Sequence, residues 1–451
     1  MIRPAIFRML TAAAALALAP AAFAQPIAIV NARIETATAA GAIPAGAIVI
    51  DGGKIIALGA DVKAPAGARV IDAKGATVAP GFIAASSNLT VTEINAVNET
   101  RDDRAGKLSA GFDLQYGINP NSTQVPLARQ IGLTRAVVTP VRTTERGGHK
   151  DDGEVDGHDA FAGGGVGQPD PVLFAGQAAI VKLSDGADLL VKAKVAVALD
   201  LGESGARTAG SRGAAMVLVR SALEDARTFA RNRAAYEAGA TREFGLSRID
   251  LEALVPVVQG KVPLLVRVDR ASDIREVLKF AKEQRVRVIL EGAAEGWMVA
   301  DDLAKSGTPV IIDSLANLPE SFEVLGARLD NAARLDKAGV TIAIIGSRDI
   351  NNLRQARFNA GTAVAYGLPY QAAIRAISAN PAKMWGMSDV GALEIGKAAD
   401  LVIWSGDPLE TSTWPTAVFI AGVEQPVNVR AFELRDRYAA PAGPRARQYD
   451  H

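Results

Sequence analysis

Residues 79–90 read APGFIAASSNLT, and this stretch carries the clearest fold signal in the 451-residue chain. A proline-glycine turn precedes an apolar run that begins at Phe82, which is the pattern of a turn leading into a buried strand. The run ends in polar residues from Ser86 to Asn88. The stretch therefore predicts a buried strand whose carboxyl end presents polar side chains.

Apolar runs of strand length alternate with helical patterns from about Pro80 to Gly386. Near-continuous apolar runs are typical of strands that are buried on both faces of a parallel sheet. With a first strand near Val78–Ile83, the runs predict a (β/α)8 barrel of the TIM type, and a doubly wound open sheet is the alternative. The other runs are Arg135–Pro140, Ala178–Leu183, Ala214–Val219, Pro263–Val268, Val286–Leu290, Pro309–Ile312 and Thr341–Ile345.

Two helices between these strands have distinct sequence signals. Ser221 and Glu224 form a capping box that predicts a helix start, and Gly239 lies where that helix should end. A second helix has an apolar face with the helical period. Its members are Ile274, Val277, Leu278 and Ala281.

Both ends of the mature chain predict short strands. In residues 25–79, apolar runs are separated by Gly and Pro turns, and Asp51-Gly52 is a hairpin signal. Residues 388–433 return to strands, so both segments are expected to build one accessory β-sandwich beside the barrel of residues 80–387. Residues 434–451 are rich in Arg, Pro and Ala and predict a disordered tail.

Residues 1–24 have the pattern of a secretory signal peptide. Arg3 and Arg8 accompany an apolar run too short to span a bilayer, and residues 22–24 read AFA, a cleavage site. The mature chain is therefore expected in the periplasm without a stable membrane anchor. Basic and acidic residues are equal in number, 49 each, and no basic stripe favours nucleic acid. The chain has no cysteine, which excludes disulfides and thiolate ligands.

Several motifs resemble the amidohydrolase superfamily, and in particular its exported, imidazolonepropionase-like members. Besides 79–90, which is similar to the first barrel strand, GKAADLVIWSGDPL at 396–409 is similar to the family's return into the accessory sandwich. NPAKMWG at 380–386 resembles the helix before that return, and Ile27–Ala32 resembles the opening strand. The resemblance implies hydrolysis of C–N bonds in amides, lactams or small peptides, with zinc or another divalent ion as cofactor.

In that family the metal ligands lie at the carboxyl ends of barrel strands, and this chain departs from the pattern. The first-strand His-x-His pair falls at Ser86 and Asn88, the fifth-strand histidine at Arg267 and the sixth-strand histidine at Glu291. Serine and asparagine are poor zinc ligands, and a guanidinium offers no lone pair. The chain has only three histidines, and none falls at these positions.

The remaining matched positions also carry charges. The eighth-strand aspartate falls at Arg348, followed by Asp349, and Lys182 matches the lysine that some members carboxylate. No metal cofactor is therefore expected. Glu291 is expected to form a salt bridge with Arg267 or with Arg348, while the first-strand pair completes the hydrogen bonds. This salt bridge would either only fill the vacated metal site or leave one of the two arginines free to bind a carboxylate or phosphate.

The predicted function is that of an amidohydrolase-fold protein without the family's reaction. It would bind a small ligand, with anions as one candidate class, or associate with an active homologue or with a second copy of itself. The alternative is an active hydrolase with a non-standard or metal-free carboxylate centre that uses Glu291, Asp349 and Lys182. The loop 147–171 contains half of a calcium-loop pattern without the final acid, which predicts a solvated loop and no ion site.

Overall fold

The computed structural model describes residues 25–106, 108–141, 173–346, 355–427 and 429–439. The predicted signal segment, the loop 147–171, Arg348 and Asp349 lie outside these residues, and so do all three histidines. Within the described ranges, no helix combines the length and apolarity that crossing a bilayer requires.

Eighteen strands are described. Their bounds are β1 Ile27–Glu35, β2 Ala42–Asp51, β3 Lys54–Gly59, β4 Arg69–Asp72, β5 Thr77–Pro80, β6 Phe82–Ser87, β7 Leu133–Val138, β8 Phe174–Gln177, β9 Ala179–Lys182, β10 Leu190–Lys192, β11 Val197–Asp200, β12 Leu264–Val268, β13 Val288–Gly292, β14 Val310–Asp313, β15 Ile342–Ile345, β16 Leu401–Trp404, β17 Pro415–Ile420 and β18 Val423–Gln425.

The described α-helices are mostly short, and three 3-10 turns accompany them. The helices are α1 Gln124–Arg129, α2 Glu203–Ala209, α3 Arg212–Arg231, α4 Arg233–Glu237, α5 Arg248–Val258, α6 Ala271–Gln284, α7 Ala300–Ser306, α8 Asn331–Lys337, α9 Ala356–Ala365, α10 Tyr370–Ala376, α11 Ala379–Met384 and α12 Arg430–Ala439. The 3-10 turns are Asn98–Thr100, Leu114–Gly117 and Gly296–Val299.

The β domain is one eight-stranded sheet to which both ends of the chain contribute. Its strand order is β18-β17-β16-β5-β1-β2-β3, and β4 also pairs with β1. The two segments meet where β5 pairs antiparallel with β16. Isoleucines from the first strands, such as Ile29 and Ile48, pack in one buried cluster with Leu401 and Phe419 from the last strands. The shared core explains why the two distant segments fold together.

The remaining strands form the barrel. β6 pairs parallel with β7, and β11 through β15 pair parallel in chain order. Residues 174–182 join these two sheets, because β8 pairs antiparallel with β11 and β9 pairs antiparallel with β7. The predicted strand at Ala178–Leu183 therefore exists, but it runs opposite to its neighbours.

The barrel interior is filled by one apolar cluster that takes side chains from every strand position around the ring. β15 lies against β6, whereas the first and last strands of an open sheet would be at opposite edges. The doubly wound alternative is therefore wrong, and the barrel with an accessory β domain is confirmed. The cluster includes Ile83, Val137, Ile180, Ala198, Leu265, Ile289, Ile311 and Ala343.

The run Ala214–Val219 was predicted as a strand but lies in helix α3. Ser211 caps this helix by accepting a hydrogen bond from the backbone N–H of Ala214. Ala215 and Val219 are buried one turn apart while Val217 is exposed, so the run has the helical period. The predicted start at Ser221 is thus a position inside the helix.

The barrel strand that was not predicted is Val197–Asp200. The second predicted helix is confirmed as α6, with Ile274, Val277 and Ala281 buried. The tail prediction is wrong for 434–439, which complete α12, because Glu, Leu, Arg and Ala favour a helix there.

Candidate functional site

A ring of polar side chains lies one layer above the apolar interior, at the carboxyl ends of the parallel strands. Side chains alternate between the two faces of a strand, so Arg267 and Glu291 share the inward face of Leu265 and Ile289. A register shift in β6 between Ala84 and Ser87 interrupts the alternation near Ser86. We call this set the mouth ring: Ser86, Thr139, Asp200, Arg267, Glu291 and Asp313.

The centre of the mouth ring is an ion pair across neighbouring strands. Arg267 and Glu291 are in register on β12 and β13, and the Nη2 atom of Arg267 lies 2.6 Å from Oε1 of Glu291. The hydroxyl of Ser86 donates to Oε2 of Glu291 at 2.9 Å and lies 2.9 Å from Oγ1 of Thr139. The predicted salt bridge of Glu291 with Arg267 and the predicted hydrogen bond from Ser86 are therefore both present.

The two members of the pair differ in exposure. The side chain of Glu291 is 6% exposed, whereas that of Arg267 is 46% exposed and faces the open end of the barrel. The carboxylate of Glu291 raises the pKa of Arg267, and Asp200 and Asp269 act in the same direction. Arg267 is therefore a permanent cation. It is paired with one buried carboxylate and is also accessible to solvent.

Two predicted site residues do not contact this pair. Asn88 donates from Nδ2 to Oδ1 of Asn95 at 3.1 Å and makes no described bond to Glu291, because the chain has already left β6 for the following loop. Lys182 lies at the opposite end of the barrel, since β9 is antiparallel to β7, and it pairs with Asp188 at 3.0 Å. The assignment of Lys182 to the mouth is therefore wrong, and Asn88 does not take part in the predicted hydrogen bonding of Glu291.

A group of carboxylates near Arg267 was not among the predicted site residues. Asp200 ends β11 and accepts from the backbone N–H groups of Gly202 and Gly205 at 2.9 and 3.1 Å. A Cβ at Gly202 would stand 3.1 Å from one carboxylate oxygen of Glu323, so the glycine lets that side chain approach. Asp200 could have been predicted had β11 been recognised, whereas Glu323 lies in a loop without any sequence signal.

Asp269 follows β12 and lies under the turn after β13. Its Oδ1 accepts from the N–H of Ala294 at 3.1 Å, and a Cβ at Gly292 would stand 2.5 Å from that oxygen. Gly292 also has a positive φ of 107°, which only glycine adopts readily. Asp269 directly follows the predicted run Pro263–Val268, so its place at a strand end could be predicted from sequence, although it is not a matched ligand position.

Burial weakens the acidity of these groups. Burial raises the pKa of Asp269, and the nearby carboxylates of Asp200 and Glu291 raise it further. Burial also raises the pKa of Glu323, and Asp269 and Asp200 add to that effect. Burial raises the pKa of Asp313, which accepts from Nδ2 of Asn359 at 2.9 Å. Raised carboxylate pKa values are typical of groups that can give or take a proton near neutral pH.

An outer network surrounds the mouth ring. Arg212, at the first position of α3, donates to Asp273 at 2.7 Å and to Glu323 at 2.9 Å. Arg270 donates to the other oxygen of Asp273, also at 2.7 Å. The mouth ring, Asp269 and this outer network together carry six carboxylates and three guanidiniums, a formal excess of negative charge among these described residues. The carboxylates are Asp200, Asp269, Asp273, Glu291, Asp313 and Glu323, and the guanidiniums are Arg212, Arg267 and Arg270.

The described residues at the matched ligand positions do not fit a divalent metal ion. One oxygen of Glu291 accepts from Arg267 and the other from Ser86, and Arg267 holds a positive charge where a ligand would stand. Within the described part of the chain, no group of three or more His, Cys, Asp or Glu side chains is arranged to hold a metal. Zinc needs about three such ligands around an open position.

Comparison with known proteins gives matches to one family. Residues 265–430 match the amidohydrolase family. The curated protein "Amidohydrolase tasK" of Hapsidospora irregularis is 23% identical over 385 residues, which cover 80% of this chain and 38% of that protein. This chain thus spans well under half the length of that relative.

Solved structures share the fold over nearly the whole chain. An amidohydrolase from Thermotoga maritima MSB8 superposes with a TM-score of 0.74 at 23% identity, covering 88% of this chain and 99% of that one. The structure of molinate hydrolase superposes with a TM-score of 0.51 at 17% identity, covering 90% of this chain and 95% of the other. These likenesses show that the chain has the fold of the solved amidohydrolases, and residues 265–430 carry its sequence match to the amidohydrolase family.

Proposed function

We propose that this chain is an exported amidohydrolase-superfamily protein that has lost metal-dependent hydrolysis and binds a small ligand at its barrel mouth. The observation that carries the proposal is the ion pair of Arg267 with Glu291, at the positions that match the fifth-strand and sixth-strand histidines. A metal ion polarises the carbonyl and lowers the pKa of bound water. A guanidinium in the same place is not a Lewis acid and does not coordinate water. The mouth ring therefore lacks the activation of water that a metal ion provides. Export rests on the pattern of residues 1–24.

The charge of the mouth favours a particular class of ligand. The excess of carboxylates among the described residues attracts a ligand with an amino or guanidino group more than the anion expected from sequence. Asp200, Asp269 and Glu323 would accept hydrogen bonds from such a group. Arg267 would accommodate a carbonyl or carboxylate elsewhere on the same molecule. Basic amino acids and their amides have both features.

The test is an assay of the mature chain from Gln25, purified without chelator, on amides, lactams and dipeptides, with and without added Zn²⁺ and EDTA. We expect no turnover that zinc increases or EDTA removes. We also expect basic amino acid amides to raise the melting temperature more than dicarboxylates of matched ionic strength. Hydrolysis that EDTA abolishes would refute the proposal, and equal stabilisation by both ligand classes would refute its charge argument.

A second candidate is a metal-free hydrolase, and the raised pKa of Asp269 is the observation that favours it. A carboxyl group whose pKa is raised by burial, two residues after Arg267 on the same strand end, could act as general acid or base on a ligand held by Arg267. In the same assay, this candidate requires turnover that EDTA leaves unchanged and that Asp269→Asn abolishes. The matched control is Asp301→Asn, at an exposed position in the first turn of α7, which should leave such turnover unchanged.

A further inference from the structure

A recess lies at the end of the barrel opposite the mouth ring, where β12, β13 and β14 begin. It has a volume of about 990 Å³ and lies between α6 and α7. Pro263, Val288 and Pro309 form part of its wall at the strand starts, and Met384 reaches it from α11. The recess is separate from the mouth ring, because it opens at the amino ends of the same strands.

The side chains around this recess are mostly basic. Arg275, Lys279 and Lys282 follow one face of α6 at spacings of four and three residues, so the helix presents them together. Lys305 comes from α7 and Arg287 from the start of β13. Asp302 is the one acidic side chain of the lining. The sequence as a whole has no net charge, so the fold concentrates positive charge here.

Two of these cations are already satisfied. Arg275 pairs with Asp302 at 3.1 Å, and Arg287 donates to the backbone carbonyl oxygen of Gly260 at 2.9 Å. The ammonium groups of Lys279, Lys282 and Lys305 are different. All three are exposed, and none has an ion pair or a hydrogen bond among the described residues. We call these three residues the recess lysines.

We propose that the recess binds a multivalent anion through the recess lysines, with phosphate groups as the matching chemistry. Three ammonium groups around one concave surface reinforce each other's potential, since the low-dielectric wall limits screening. Lysine binds phosphate as a point charge and needs no planar geometry, which suits groups that converge from two helices. The phosphates could belong to a free oligophosphate or to an anionic lipid head group, and the shared chemistry is the same.

The experiment titrates the mature chain with inorganic tripolyphosphate in a calorimeter at low and at physiological salt. The variant of the recess, called the groove variant, replaces the three recess lysines and carries Lys279→Gln, Lys282→Gln and Lys305→Gln. The matched control carries Lys63→Gln, Lys192→Gln and Lys337→Gln, three exposed lysines outside the recess. We expect saturable binding that weakens with salt, an affinity loss of about tenfold or more in the groove variant, and an unchanged affinity in the control.

A parallel arm distinguishes the two sources of phosphate. Vesicles of phosphatidylglycerol and of phosphatidylcholine are sedimented with each variant, whose fold is checked by melting temperature. Co-sedimentation with phosphatidylglycerol that only the groove variant loses assigns the site to lipid head groups. Tripolyphosphate binding without co-sedimentation assigns it to a free anion. Absence of both kinds of binding, or equal losses in both triple variants, would overturn the proposal.

Discussion

Replacing Asp400 with Ala is expected to lower the free energy of unfolding by about 3–5 kcal/mol. Its Oδ2 accepts from Nε of Arg135 at 2.7 Å, and the two side chains are 1% and 7% exposed. Its Oδ1 also accepts from the backbone N–H of Ala421 at 2.7 Å. The substitution would leave a buried guanidinium without its carboxylate, which costs far more than the loss of an exposed pair.

The same contact connects the two parts of the molecule. Arg135 lies on β7 of the barrel, and Asp400 directly precedes β16 of the β domain. Urea denaturation of the mature Asp400→Ala variant measures the loss. Asp389→Ala, at an exposed position shortly before in the chain, is the control and should change stability by less than about 0.5 kcal/mol. A loss below about 1 kcal/mol for Asp400→Ala would show that the buried pair contributes little.

The second large effect is an asymmetry between the partners of the mouth ion pair. We expect Arg267→Met to cost about 2 kcal/mol, because it removes the described guanidinium partner of a carboxylate that is 6% exposed. Glu291→Gln should cost only about 1 kcal/mol, since Arg267 is 46% exposed and water can hydrate its freed guanidinium. The half-exposed arginine is the reason that both values are below those of a fully buried pair.

A double-mutant cycle in urea measures this asymmetry. The variant with both Arg267→Met and Glu291→Gln should lose less stability than the sum of the losses in the two single variants. Either substitution alone already breaks the ion pair, so the second cannot remove that interaction again. Additive losses would mean that the two groups do not interact in solution. A larger loss for Glu291→Gln than for Arg267→Met would contradict the burial argument.

The sequence predicted the centre of the site better than its surroundings. Arg267 and Glu291 follow neighbouring apolar runs, and residues at the carboxyl ends of adjacent parallel strands lie at one level, so their pairing could be predicted. The contacts of Asp269 and Glu323 could not be predicted, because they depend on the turn at Gly292 and on a loop. The recess lysines are spread over two helices, and only the packing of α6 beside α7 brings them together.

The errors in the fold prediction arise where local sequence patterns are ambiguous. A short apolar run fits a strand or a helix, so Ala214–Val219 was assigned by composition although Ser211 caps a helix. Val197–Asp200 was missed for the same reason. Strand direction is also absent from local patterns, and this put Lys182 at the wrong end of the barrel. Motifs with a fixed place in the superfamily frame, such as 79–90 and 396–409, did not suffer from this ambiguity.

The most direct test of the central claim is the metal content of the mature protein. The protein would be incubated with excess Zn²⁺, desalted and analysed by elemental mass spectrometry, and the Arg267→Met variant would be treated in parallel. Because Arg267 and Glu291 occupy the positions that would hold the ion, we predict zinc at the level of the buffer blank. About one zinc ion retained per chain would contradict the claim that a fixed ion pair has replaced the metal.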